Sequence, residues 1–158
     1  MLRTGLTILF ALLSSSAFAQ SGEVSVTKGE RVAIIGGCHD CHTAGYAETN
    51  GTIDPAVALK GNPVGYQGPW GTTYAVNLRL VAAKYSEDDF VKYLSTFQTR
   101  PPMPWFNVHV LEESEVRSLH RYIVSLGEPG DPAPAFVPPG EKPKSPYIVF
   151  APPTMPTP

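Results

Sequence analysis

The chain is short of cysteine, of charge and of long apolar runs, and each shortage removes a class of protein. Two cysteines in 158 residues cannot build a disulfide-rich scaffold. Charged residues make up only 16%, and the formal net charge of −2 argues against a nucleic-acid binder held by phosphate contacts. No apolar run approaches the ~18 residues of a membrane-spanning helix. No internal repeat is present, and no convincing set of strands stands out. Proline is the residue in excess: there are 17, of which 11 lie between Pro129 and Pro158. A hydrophobic content of 42% is enough for a packed core, and the length suits one domain.

Met1–Ala19 has the pattern of a secretory signal. Arg3 is its positive residue, Gly5–Leu13 its short apolar stretch, and Ala17-Phe18-Ala19 a small-x-small cleavage site. Cleavage before Gln20 leaves a mature chain of formal charge −3 with no transmembrane segment. Export places that chain in an oxidising compartment outside the cytoplasm.

Three helices are expected in residues 20–127. Thr27 and Glu30 fit a capping box, so a helix should run from Lys28 to about Gly36 and bury Val32 and Ile35. Ser86 caps a second helix, with Glu87, Asp88 and Asp89 in its first turn and an apolar face of Phe90, Tyr93, Leu94 and Phe97. Pro101-Pro102 ends it. A third runs from about Glu113 to Leu126 along Val116, Leu119, Ile123 and Leu126, although Glu112 is a weaker cap than Ser, Thr or Asp. Residues 43–76, rich in glycine and proline, read mostly as loop. Residues 128–158 form a Pro-rich extended tail without a core of its own, either mobile or docked as a strap through Tyr147-Ile148-Val149-Phe150.

The chemistry sits in Cys38-His39-Asp40-Cys41-His42, which contains C-x-x-C-H. That spacing sets two thiols to form thioethers with the two vinyl groups of haem, with the adjacent His42 giving its imidazole to the iron. An export signal ahead of the motif sharpens the reading, because c-type haem is attached outside the cytoplasm. A thiol–disulfide redox motif would need a βαβ setting, a zinc site a second Cys/His pair, and a plain disulfide gives no role to His42. His39, between the cysteines, is expected to point outward.

The iron then has a sixth ligand or an open site. Met103 is the leading candidate, in the stiff loop Pro101-Pro102-Met103-Pro104-Trp105. Met155 lies in the distal tail, and His109 and His120 are the rivals. His42 and Met103 would make a closed iron that passes single electrons, whereas an open or displaceable sixth position would suit a peroxidase-like enzyme or a gas sensor. Trp70, Tyr74, Trp105 and Phe106 are candidates for the cofactor wall, the two indoles as propionate donors. Arg79 and Arg100 are candidates to balance propionate charge.

With these residues placed, the chain resembles class I c-type cytochromes from about Lys28 to Leu126. It is most similar to the monohaem units of bacterial membrane-bound alcohol and sugar-acid dehydrogenase cytochrome subunits. The resemblance is carried by Lys28-Gly29-Glu30, Cys38–Thr43, Gly68–Leu78, Ser86–Phe90 and Met103-Pro104-Trp105. It implies an all-α cytochrome c-like fold of three main helices around one covalent haem c, held by Cys38 and Cys41 with His42 and Met103 on the iron. It further implies that the first and last helices cross, bringing Ile34 or Ile35 near Tyr122. The function implied is that of a periplasmic electron carrier, not an enzyme, whose partner is a redox protein such as a periplasmic or membrane-bound dehydrogenase or oxidase. The family's subunits carry three haem units and this chain has one motif; after Asn77 their Thr-Pro-Asp continuation is replaced by Leu78-Arg79-Leu80-Val81.

Overall fold

The computed structural model describes residues 22–156; the secretory signal and its cleavage site lie outside the described residues. In chain order the elements are α1 (Val26–Ile35), α2 (Cys38–His42), β1 (Gly65–Gly68), β2 (Gly71–Tyr74), α3 (Leu78–Ala82), α4 (Glu87–Leu94), α5 (Trp105–Val108), α6 (Glu113–Ser125) and β3 (Tyr147–Val149). The architecture is therefore mixed α/β, and the all-α, three-helix expectation is corrected: among the described residues six helices stand beside a three-stranded mixed sheet of order β2-β1-β3. Among the described residues no helix is long and apolar enough to cross a membrane.

The strands escape a sequence reading because they are four, four and three residues long, too short for an alternating pattern to emerge. β1 and β2 form an antiparallel hairpin closed by Pro69-Trp70, with Gly68 opposite Gly71. Gly71 has φ 101°, a conformation that disfavours any other residue. β3 comes from the Pro-rich tail and pairs parallel with β1, Gly65 opposite Tyr147, through Gly65 N–H to the Pro146 carbonyl and Phe150 N–H to the Gln67 carbonyl.

The helices begin where side chains can accept from their free N–H groups. α1 starts at Val26, two residues before the expected Lys28, because the Ser25 hydroxyl accepts from Lys28 N–H at 3.2 Å. Ser25 N–H also donates to the Ser118 hydroxyl, tying that cap to α6. Ser86 caps α4 by accepting from Asp89 N–H. α4 ends at Leu94, short of Phe97. Glu112 opens α6 with help from Glu115, whose carboxylate accepts the Glu112 N–H at 3.0 Å.

One core joins α1, α3, α4 and α6: Val32, Ala33, Leu59, Ala82, Phe90, Leu94, Val116, Leu119, Tyr122 and Ile123. α1 crosses α6 at Gly29, where a Cβ would drive into the Ser118 carbonyl and the Tyr122 side chain. The face of α1 that carries Gly29 also carries Val32 and Ala33, so Val32 is buried as expected, whereas Ile34 and Ile35 remain 43% and 63% exposed, contrary to the expected burial of Ile35. Glu87 of α4 pairs with Arg117 and Arg121 of α6, and Arg121 is the main reason that its carboxyl is held below the usual range.

The Pro-rich tail lies on the domain as a strap. Val137 and Thr72 exchange backbone hydrogen bonds at 2.8 and 3.0 Å on the free edge of β2, so tail segments flank both edges of the hairpin. The Tyr74 hydroxyl meets the Ser145 hydroxyl at 2.8 Å. The tetrad Tyr147–Phe150 stays largely exposed, apart from packing of the Phe150 ring on Tyr66 and Trp70, so the strap is held mainly by its backbone.

Gly29→Ala should destabilise the protein by about 1–3 kcal/mol, the range for forcing extra atoms into a packed crossing. The measurement is urea unfolding, and an unchanged midpoint would show that the crossing is not close packed there.

Candidate functional site

α2 begins after Gly36-Gly37, with Gly37 at φ 68° turning the chain sharply out of α1. Cys38 and Cys41 stand three apart on this five-residue helix, hence on one face, and both are half-buried free thiols. Burial pushes the Cys38 thiol up to about 11, so it stays protonated. A nucleophilic redox cysteine would have the opposite shift.

His42 is buried and its Nδ1 lies 2.7 Å from the Val76 carbonyl oxygen. A carbonyl only accepts, so the proton resides on Nδ1 and Nε2 keeps its lone pair. Burial also lowers the pKa of His42, favouring this neutral form. The hydrogen bond joins α2 to the segment just after β2, and the Gly61 N–H to His42 carbonyl bond at 2.8 Å fixes the same residue from a second loop.

Cys38, Cys41, His42 and Met103 all line one cleft, which contains about 1080 Å³ of space free of protein atoms, counting the part open to solvent. Phe90, Tyr93, Leu94 and Phe97 form one wall, as their helical spacing predicts, and Leu119 and Ile123 of α6 another. Tyr66, Thr73 and Tyr74 of the hairpin complete it. Burial raises the pKa of Tyr66, so its phenol is neutral. Two buried polar atoms in the hairpin have no protein partner: the Thr73 hydroxyl, in the cleft wall, and the Trp70 indole nitrogen. Unpaired buried polar atoms are costly and imply a missing partner.

Met103 sits half-buried on the loop between α4 and α5. Its rivals are engaged elsewhere. His109 Nε2 donates to the Phe97 carbonyl at 2.8 Å, and its ring packs against Phe97 and Trp105, closing the base of the Met103 loop. His120 Nε2 lies 3.2 Å from the Tyr85 carbonyl, and Met155 is 81% exposed in the tail. Tyr74 lines the cleft as expected, whereas Trp70, Trp105 and Phe106 do not.

Three other expectations are corrected. His39 is 0% exposed rather than outward: Nδ1 meets the Thr43 hydroxyl at 2.8 Å and Nε2 the Tyr122 hydroxyl at 3.2 Å, so the back of α2 is fastened to α6. Arg79 balances no cofactor charge. Its buried guanidinium gathers the carbonyls of Pro55, Ala58 and Leu126, drawing two loops against α3. Arg100 lies over the Phe136 ring of the tail, 3.8 Å from its centroid. Among the described residues no cluster of three His, Cys, Asp or Glu side chains could hold a metal ion.

Tyr66, Thr73 and the clamp at Arg79 were not singled out by sequence reasoning. Only Arg79 carries a signal that bears on it, standing two residues after the capping Asn77, in the first turn of the short α3.

Comparison of the chain with family models, with curated proteins and with solved structures gives no match.

Arg79→Met should cost at least about 3 kcal/mol, since buried carbonyls on two loops lose their donors. Guanidinium chloride unfolding measures it, and a loss under about 1 kcal/mol would mean that water replaces the clamp.

Proposed function

We propose that this protein is a monohaem c-type cytochrome, a carrier that passes single electrons between redox proteins outside the cytoplasm. The observation that carries the reading is the meeting of the C-x-x-C-H residues with Met103 across one apolar cleft. Cys38 and Cys41 would hold haem c through two thioethers, His42 Nε2 would be the proximal ligand of the iron, and the Met103 thioether the distal one. The donors fit the group in kind: two half-buried thiols on one helical face, an imidazole with the proton fixed on its far nitrogen, and a soft sulfur on a proline-stiffened loop.

When bound, haem supplies a one-electron iron couple, which His/Met ligation sets at a higher potential than bis-histidine ligation would. The chain's own residues do the rest. The Val76 carbonyl holds the Nδ1 proton of His42 and orients the ring. Phe90, Leu94, Leu119 and Ile123 keep water from the ligand side, which raises the cost of extra charge there. The Thr73 hydroxyl, unpaired in the cleft wall, offers a donor to a propionate. The resemblance to class I cytochromes makes a dehydrogenase or oxidase of the same compartment the natural redox partner, and the leader at Met1–Ala19 agrees with the periplasm.

The Met103 thioether on the cleft that also holds His42 favours an electron carrier over a haem enzyme with an open sixth position. Met103→Ala should lower the reduction potential and let carbon monoxide and imidazole bind quickly. Potentiometry and ligand titration of the variant beside the parent protein check this. Unchanged values in the variant, or rapid carbon monoxide binding by the parent protein, would point instead to an open-site enzyme or sensor.

A further inference from the structure

The loop that presents Met103 is held at its base by His109 on Phe97, but its outer limb has a second hold that belongs to the tail. Arg100, three residues before Met103, stacks on Phe136 at 3.8 Å. Phe136 is itself fixed, because the next residue, Val137, exchanges two hydrogen bonds with Thr72 of β2. Gly71 lets the tail come this close: a Cβ there would meet the Val137 carbonyl and stand 3.0 Å from the Phe136 ring. The same hairpin supplies Thr73 and Tyr74 to the cleft. One tail segment thus touches both the hairpin that carries part of the cleft wall and the loop that presents Met103.

We propose that Phe136 and Arg100 are positioning residues for Met103: the tail clamps the loop and keeps the thioether at its station in the cleft. The inference rests on the haem reading above and adds to it a role for the Pro-rich segment. A cation on an aromatic face at an exposed site shifts an equilibrium by about two- to fivefold. The clamp should therefore bias the loop toward the closed arrangement by that factor.

The test uses the full-length haem-loaded protein with imidazole as the probe, since imidazole binds ferric iron only when the thioether leaves. Phe136→Ala and Arg100→Gln should each raise the apparent imidazole affinity about two- to fivefold. The double variant should gain no more than either single one, because the two residues share one interaction. Phe136→Leu, which keeps apolar bulk without a ring face, should behave like Phe136→Ala and guards against a variant that fails to fold. Phe150→Ala removes a tail ring that packs on Tyr66 and Trp70 away from Arg100, and should leave imidazole affinity unchanged. Parent-like affinity in the Phe136 and Arg100 variants, additive effects in the double variant, or an equal gain in Phe150→Ala would overturn the positioning role while leaving the haem reading intact. A parent protein without covalent haem would overturn both.

Discussion

The hydrogen bond from His42 Nδ1 to the Val76 carbonyl is the constraint on which the site depends. It selects the tautomer that leaves Nε2 with a free lone pair, because a backbone carbonyl can only accept the hydrogen bond from Nδ1. It also ties the motif helix to the strand hairpin, so the thiol face of α2 and the hairpin wall are set by one contact. His39 completes the anchorage from the opposite side through Tyr122 and Thr43, and Thr43 in turn accepts the Leu59 N–H at 2.9 Å. The five-residue helix could not hold a geometry by itself. It is held by α6 behind and by Val76 in front.

Around that helix the chain spends its regular structure on walls. α4 turns its stripe toward the cleft, and α6 serves both core and cleft with neighbouring residues of one face. The close approach of α1 at Gly29 brings Ser25, Ser118 and Tyr122 into one seam, which is why a helix remote from Met103 still bears on where His39, and hence His42, can sit.

Helices α1, α4 and α6 and the candidate ligands were legible in the sequence because each has a local signature: a Ser cap at Ser86, a 3.6-residue stripe in α4 and α6, the spacing from Cys38 to His42, and prolines around Met103; the short helices α2, α3 and α5, of four or five residues, were not. The sheet was not legible. Its strands are too short for a period, and β3 is recruited from a segment whose prolines argue for an extended chain without naming what it pairs with. The expected burial of Ile35 failed because the buried face of α1 is the one that carries Gly29, Val32 and Ala33. Arg79 and His39 look like ordinary polar residues in sequence, yet they are buried fasteners whose partners are mostly backbone carbonyls or hydroxyls far along the chain. Such partners leave no pattern.

The most direct measurement is the intact mass of the exported protein purified from a host able to mature c-type cytochromes. The account predicts a chain heavier by one haem, with neither Cys38 nor Cys41 open to a thiol reagent. A colourless chain at its bare polypeptide mass, or one lighter by two hydrogens from a Cys38–Cys41 disulfide, would contradict it.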